Sequence, residues 1–233
     1  MKYLVKTIFF CLLTMIYADF AASAQVNVTE LEKQISQGLD VNARDENGDT
    51  LLLMVLANGG DMRAIKMLVD LGADVNAPSS ASGMTPLVYE TMVAARIRAE
   101  ALQQFQHISA MQDRQTAEVA LIKEVAQKLA HALKIMQYLA DSGADINQET
   151  PLGTPLMQAA TDDWNTDIVA WLLANGAQPD QQDLLGRTAL FYANAYNSTQ
   201  ITLQLLSAGA DVGIKDNNGK TYLEATIADW QQQ

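Results

Sequence analysis

The stretch LVDLGADVNAP, Leu68 to Pro78, decides the fold because its phrase GADVN recurs along the chain. Related phrases begin at four other glycines: GLDVN at Gly38, GADIN at Gly143, GAQPD at Gly176 and GADVG at Gly209. Successive glycines are separated by 34, 71, 33 and 33 residues. A fixed period of this size is typical of a repeat architecture, in which each unit stacks on the next.

A second phrase keeps the same period and predicts where helices begin. It reads TLL, TPL, TPL, TAL and TYL at Thr50, Thr85, Thr154, Thr188 and Thr221. A Thr side chain can cap the first free amides of a helix, and Pro suits the first helical position. The run IKMLVDLG, Ile65 to Gly72, predicts a second helix that stops at a glycine in a left-handed conformation. Each unit is therefore predicted to be a turn, a short helix, a turn and a longer helix.

These residues resemble the ankyrin repeat, in which D..G.TPL..A is followed by V..LL..GADVN. The resemblance covers Thr29 to Trp230 and implies an all-α ankyrin-repeat solenoid of about five units. It also implies a scaffold that binds proteins through its turns and first helices. The usual His after TPL is missing, and we expect apolar packing to replace its hydrogen bond at Leu53, Val88, Met157, Phe191 and Leu223.

Both ends of the array are predicted to be caps. Thr29 and Glu32 have the spacing of a capping box, with Thr29 as the cap. The segment TYLEATIADWQQQ, starting at Thr221, predicts a last helix that ends in glutamines. Terminal repeats with polar outer faces keep a linear array soluble.

The long interval predicts an insertion of two helices. It contains no Gly or Pro between Leu87 and Ser142, and its apolar residues step by three and four. We expect both helices of one unit to be lengthened into an antiparallel hairpin, inserted at about residues 94–131, that turns near Met111–Thr116. The predicted seam residues are Ala95, Ala99, Leu102 and Phe105 on the first helix, and Val119, Ile122, Ala126, Leu129, Leu133, Met136 and Ala140 on the second. The hairpin is predicted to bind a partner, to pair two copies of the chain, or to be a tolerated insertion.

Residues 1–24 have the layout of a secretory signal. Lys2 and Lys6 precede an apolar run of ten residues, Ile8 to Tyr17, and small residues precede Gln25. We expect the ankyrin-repeat domain to be residues 25–233, and a periplasmic or secreted location. The whole chain has a net charge of -12, which argues against nucleic acid as a partner, because phosphate binding needs a basic patch.

Sequence motifs for catalysis or cofactor binding are absent: the chain lacks HExxH, GxSxG, GxGxxG and a Gly-rich loop ending in Lys. We therefore expect no cofactor, no bound metal and no enzymatic activity. His107 and His131 both fall in the hairpin and could face each other, but no third ligand accompanies them. Asp162 and Asp163 leave an alternative open, a small acid-base or metal-dependent enzyme.

The favoured function is a non-enzymatic protein-binding scaffold, an accessory or inhibitory partner of a periplasmic or secreted protein. An immunity protein that neutralises a basic secreted toxin is a narrower alternative, and self-association through the hairpin is another. We predict a protein partner, with no stable membrane insertion once the leader is removed. The residues predicted to contact the partner, at loop tips and on the concave face, are Asp45, Glu46, Asn47, Tyr89, Asp162, Asp163, Trp164, Gln182, Asp183, Tyr192, Asp216 and Asn217.

Overall fold

The computed structural model describes residues 28–108 and 114–225. The leader predicted at residues 1–24 lies outside the described part. The chain divides into two compact units, Met1–Pro86 and Leu87–Gln233. In the described residues of both units the regular elements are helices, with isolated bridges at the turns in place of strands. The all-α prediction is confirmed.

The first unit contains three described helices, α1 Val28–Ser36, α2 Leu51–Ala57 and α3 Met62–Asp70. Helix α2 begins where predicted, since the hydroxyl of Thr50 accepts the N–H of Leu53 at 3.3 Å. Helix α1 begins at Val28, so Thr29 lies inside the helix. The prediction that Thr29 caps this helix was therefore wrong.

The second unit contains a long helix pair followed by two short pairs. Its described helices are α4 Pro86–Ile108, α5 Arg114–Asp141, α6 Pro155–Ala159, α7 Thr166–Ala174, α8 Ala189–Ala195 and α9 Thr199–Ser207, with a 3-10 turn at Asp163–Asn165. The last predicted helix is not formed in its described part, because Thr221–Ala225 is a turn. None of the described helices has both the length and the apolarity that crossing a bilayer requires.

The repeated glycines terminate the second helix of each repeat. All five have a positive φ, from 89° at Gly209 to 104° at Gly38. At Gly72 the N–H donates to Val69 at 3.0 Å, and the next N–H donates to Leu68 at 2.9 Å. These bonds close the exposed end of α3, because they satisfy carbonyls that have no partner inside the helix.

Apolar side chains do fill the place of the missing histidine in four of the five repeats. Leu53, Val88, Met157 and Phe191 are at most 4% exposed. The sulfur of Met157 also accepts a hydrogen bond from the N–H of Thr154, at 3.4 Å. Leu223 is 72% exposed, so the prediction is wrong for the last repeat, where the chain forms a turn.

Helices α4 and α5 confirm the long pair, with 23 and 28 residues. They are antiparallel neighbours, and a narrow cleft between them is lined by Ile97, Glu100, Ala101 and Gln104 from α4 and by Leu121, Glu124, Val125 and Lys128 from α5. Leu121 is buried in this seam and only 7% exposed.

The predicted seam residues were wrong over the outer half of the hairpin. Val119 and Ile122 are each 62% exposed, and Leu102 and Phe105 are also exposed. Apolar residues occupy two sides of each helix. The helices pack through the side that holds Ile97 and Ala101 on α4 and Leu121 and Val125 on α5. The predicted turn at Met111–Thr116 is also partly wrong, because α5 starts at Arg114; residues 109–113 and the side chain of Ala99 lie outside the described residues.

Side chains at the end of the repeated phrase link successive turns. In the first unit, Asn42 donates to Gly72 O at 3.2 Å and accepts from the N–H of Asp74 at 2.8 Å. In the second unit, Asn147 donates to Gly176 O at 3.0 Å and accepts from the N–H of Gln178 at 2.8 Å. The repeated Asn therefore bonds the backbone of the following repeat at both atoms of its amide.

Replacing Asn147 by Ala is expected to lower the free energy of unfolding by about 1–2 kcal/mol, because two hydrogen bonds between repeats are lost. Chemical denaturation followed by circular dichroism measures the change. Asn218→Ala is the matched control, since Asn218 is exposed and its N–H, not its side chain, bonds Asp216. Equal losses for the two variants would contradict the linking role of Asn147.

Candidate protein-binding surface

Three of the predicted contact residues hold the tips of the turns in shape. Asp45, Asp183 and Asp216 occupy the same place in their repeats. In each, Oδ1 accepts the N–H groups of the residues two and four positions later, at 2.8–2.9 Å. Each Asp thus closes a tight turn around a Gly, as Asp does in turns generally. Their carboxylates are engaged within the chain.

The outer ends of the turns carry the side chains that are open to solvent. Glu46 and Asn47 are exposed at the tip in the first unit. In the second unit the tips carry Leu152, 40% exposed, and Leu184, 74% exposed. Sequence reasoning missed both leucines, although an apolar residue inside a turn that is otherwise rich in polar residues was a visible signal.

Gln182 and Asn217 join two neighbouring turns of the second unit. The amide of Gln182 donates to Lys215 O at 3.1 Å, and that of Asn217 donates to Leu184 O at 3.0 Å. The exposed Leu184 therefore stands on a turn that is held from both sides. A rigid support lowers the entropy lost when a partner packs against the side chain.

Asp183 also anchors a part-buried polar network. Its Oδ2 pairs with the guanidinium of Arg187 at 2.7 Å and accepts from the hydroxyl of Tyr192 at 2.8 Å. Arg187 donates to the same hydroxyl at 3.1 Å and lies 5.1 Å from the centre of the Tyr192 ring. Burial has the largest effect on the pKa of Tyr192 and raises it, and the neighbouring Asp183 carboxylate raises it further. Tyr192 is only 8% exposed, so it supports the turn from inside.

The remaining aromatic candidates divide by exposure. Tyr89 is half-buried. Trp164 is 61% exposed in the loop between α6 and α7. Trp164 is the predicted aromatic contact that the structure leaves open to a partner.

The acidic loop at Asp162–Asp167 is built for helix capping. Asp162 accepts the N–H of Trp164 at 3.0 Å, and Asp163 accepts the N–H of Gln200 at 2.8 Å, at the start of α9. Asp167, in the first turn of α7, pairs with Arg98 of α4. Each carboxylate thus satisfies a helix end or a cation, which is the arrangement expected for structural acids.

The described structure does not bring candidate metal ligands together. Among the described residues, His, Cys, Asp and Glu do not gather in groups of three able to hold a metal ion. The antiparallel pairing of α4 and α5 sets His107 beside residues near Glu118. His131 lies thirteen residues further along α5, or roughly 20 Å. The two histidines therefore do not face each other, which removes the possibility of a shared site.

Glu90 is a buried acid that sequence reasoning missed. It is 3% exposed on α4, and burial raises its pKa from 4.5 to about 8. The aligned repeats contained the signal, because the same place is occupied by the buried apolar residues Val55, Ala159 and Ala193. Glu90 is thus a local departure from the repeat pattern at the base of the hairpin.

Comparison with known families agrees with this architecture. A family model described as ankyrin repeats (3 copies) matches residues 122–216, and one described as ankyrin repeat matches residues 47–80. The two ranges together span more than half of the chain. The chain is thus an ankyrin-repeat protein, as the residues predicted. No curated protein matches it.

The class of protein that these repeats define is a scaffold for protein–protein interaction. Ankyrin-repeat proteins are typically non-enzymatic, and they present turns and helices to a protein partner. Function in such a fold depends on the surface that each chain displays. The exposed turn tips and the hairpin distinguish the surface of this chain from that of an ankyrin array without an insertion.

Proposed function

We propose that the protein is an exported, non-enzymatic scaffold that binds another protein as its accessory or inhibitory partner. The observation that carries this proposal is the 74% exposure of Leu184 at a turn whose polar groups bond within the chain. A large apolar side chain on a rigid, protruding turn suits a protein contact, since burying it stabilises the complex by about 1.5–3 kcal/mol. Exposed side chains also occupy the turn tips of two other repeats, with Glu46 and Asn47 in one and Leu152 in the other.

The charge of the chain supports a basic partner. Acidic residues outnumber basic residues by 27 to 15. A scaffold with a net negative charge accelerates encounter with a cationic protein and repels anionic ones. A basic secreted toxin fits this description, and inhibition of such a toxin is the narrower form of the proposal.

The proposed compartment rests on the first 24 residues. A basic start, an apolar run too short to span a bilayer and a small-residue site together support cleavage before Gln25. Mass spectrometry of the protein recovered from the periplasm or the medium is expected to give a chain that starts at Gln25. Recovery of the full-length chain in the cytosol would contradict export.

Affinity capture tests the binding function. The tagged protein is expected to enrich one protein from the periplasmic or secreted fraction. The variant with Leu152→Ser and Leu184→Ser is expected to enrich it at least tenfold less, because two buried leucines contribute more than the roughly 1.4 kcal/mol that corresponds to a factor of ten. Quantitative mass spectrometry of the captured proteins gives the ratio.

Leu203→Ser is the matched control for this capture. Leu203 is 54% exposed on α9, away from the tips, so its loss changes surface apolarity without touching the proposed contact. Capture that is equal for the tip variant and the control, or no enriched protein at all, would contradict the proposal. Circular dichroism of both variants shows that they fold.

A further inference from the structure

The dipeptide Asn-Gly occurs four times in the chain, at Asn47, Asn58, Asn175 and Asn218. Asparagine is chemically labile, and an Asn before Gly is open to attack by its own backbone, because Gly has no side chain to shield its nitrogen. The reaction converts the side-chain amide to a carboxylate. Since the four dipeptides are identical, differences in their reactivity come from the structure around each one.

The fold holds all four glycine nitrogens in hydrogen bonds. Each Gly N–H donates to a backbone carbonyl oxygen, at 3.0 Å from Gly48, 3.2 Å from Gly59, 3.2 Å from Gly176 and 2.9 Å from Gly219. A nitrogen that keeps its proton in such a bond does not attack the preceding side chain. The reaction therefore needs a local opening of the backbone, and the ease of opening sets the rate.

Asn58 and Asn175 lie at helix ends, where opening breaks several bonds. The side-chain amide of Asn58 donates to the carbonyl oxygen of Met54 at 2.8 Å, and that of Asn175 donates to Trp171 at 2.8 Å. The backbone N–H of each Asn bonds the same carbonyl. Opening either site breaks the last turn of a helix as well as the side-chain bond, so the fold protects both.

Asn47 lies on a turn that the following repeat holds closed. The carbonyl oxygen of Gly48 accepts the N–H of Ser80 at 3.1 Å and a guanidinium N–H of Arg44 at 2.6 Å. The side-chain amide of Asn47 donates to Asp45 at 3.3 Å. This turn cannot open without breaking its contacts to the next repeat.

Asn218 occupies the same place in the turn of Asp216 but is less restrained. Asp216 accepts the N–H groups of Asn218 and Lys220 at 2.9 Å, as Asp45 does for the corresponding groups of its own turn. The side chain of Asn218 is exposed, and its amide makes no hydrogen bond within the described structure. Its reactive group is therefore free to move.

Gly219 also lacks the neighbour that covers the equivalent glycines. A side chain at Gly48 would clash with Ser80, and one at Gly186 would lie 2.9 Å from the backbone nitrogen of Asn217. At Gly219 the corresponding place has no atom of the described residues within 4 Å. Opening at this site therefore breaks bonds within its own turn, without loss of packing against a following repeat.

We infer that Asn218 is a site of spontaneous deamidation. The backbone nitrogen of Gly219 gives its proton to water and attacks the side-chain carbonyl carbon of Asn218. The amide nitrogen takes up a proton and leaves as ammonia, so that a succinimide ring forms. Water then opens the ring. Opening at the side-chain carbon gives Asp, and opening at the backbone carbon gives isoaspartate, in which the main chain runs through the side chain.

The isoaspartate product loosens the support of Leu184. Asn217 donates its N–H to Leu185 O at 2.9 Å and its side-chain amide to Leu184 O at 3.0 Å. Isoaspartate at the next position lengthens the main chain, so the bond that Gly219 closes in the turn is lost and Asn217 is no longer fixed. Leu184 belongs to the surface of the proposed function, but neither the reaction nor the loosening depends on that function.

Peptide mapping by mass spectrometry tests the site. The purified protein is incubated at mildly alkaline pH, and conversion is followed at all four Asn-Gly pairs. Asn218 is expected to convert roughly fivefold faster than Asn47 or more, because opening the Asn47 turn also breaks a bond to the next repeat, and one hydrogen bond changes an equilibrium by about that factor. Asn58 and Asn175 are expected to convert no faster than Asn47. In urea, which opens all four sites, the rates are expected to be similar.

Asn218→Gln is the matched variant, because Gln keeps an exposed amide but its longer side chain forms a ring far less readily. Hydrogen exchange at residues 181–190 is expected to be faster in the aged wild type than in fresh protein. It is expected to stay unchanged in aged Asn218→Gln. Circular dichroism of the fresh proteins shows that both fold.

Equal conversion of Asn218 and Asn47 in the folded protein, or no conversion at Asn218, would overturn the assigned site. Unchanged hydrogen exchange in a wild type that has formed isoaspartate would overturn the loosening of the Leu184 turn. The proposed function is tested separately, by affinity capture with fresh protein. Either proposal can therefore fail while the other holds.

Discussion

The variant Glu90→Gln is expected to be more stable than the wild type at pH 8, by up to about 5 kcal/mol, and nearly equal to it at pH 4.5. Glu90 is 3% exposed, and burial raises its pKa from 4.5 to about 8. Gln has the same shape as a neutral Glu but cannot ionise. The difference between the two proteins therefore measures the cost of a buried carboxyl that would otherwise be charged.

The sign follows from the protons that each state binds. Between pH 4.5 and about 8 the folded protein keeps the proton on Glu90, whereas the unfolded chain releases it. The free energy of unfolding of the wild type then falls by about 1.4 kcal/mol for each pH unit in this window. The contribution is complete below pH 4.5 and is lost as the pH rises to the raised pKa.

Urea denaturation at several values between pH 4.5 and pH 8 gives the two curves. Glu46→Gln is the control, because it removes one carboxylate from an exposed turn tip and leaves Glu90 in place. The curve of Glu46→Gln is expected to run parallel to that of the wild type. Parallel curves for the wild type and Glu90→Gln would instead show that Glu90 is solvated in the folded protein.

The sequence predicted the repeated parts of the fold because each is set by local chemistry. Thr50 and Thr154 cap the helices that follow them, although Thr188 makes no such side-chain bond, and a Gly after a helix accepts a positive φ whatever lies next to it in space. The hairpin seam could not be predicted in this way. Each long helix has two apolar stripes, and only packing decides that Leu121 is buried while Ile122 is exposed.

The candidate surface was predicted in location but not in the role of each residue. Turn tips were expected to make contacts, and Glu46, Asn47 and Trp164 are indeed exposed. Asp183 looked like an exposed contact in the sequence, but its carboxylate bonds the turn and Arg187. Local sequence gives the polarity of a turn residue, while the direction of its side chain depends on partners that fold beside it.

Arg187→Ala is expected to lower the free energy of unfolding by about 3 kcal/mol, because it removes the cation that pairs with the largely buried Asp183 carboxylate and leaves that charge only its hydrogen bonds to Tyr192 and two backbone N–H groups. The side chains of Arg187 and Asp183 are 15% and 6% exposed. Lys220→Ala is the control, since Lys220 occupies the same place in the following repeat and is only half-buried. Its expected loss stays within about 1 kcal/mol, the usual range for surface charges.

A double-mutant cycle separates ion pairing from the shaping of the turn. Asn at position 183 keeps an oxygen for the N–H groups of Leu185 and Arg187, which Oδ1 of Asp183 accepts at 2.9 and 2.8 Å. Asp183→Asn therefore removes the charge and leaves the turn. If the pair accounts for the loss, Arg187→Ala should cost about 2 kcal/mol less in the Asp183→Asn background than in the wild type. The same cost in both backgrounds would assign the effect of Arg187 to its stacking on Tyr192 instead.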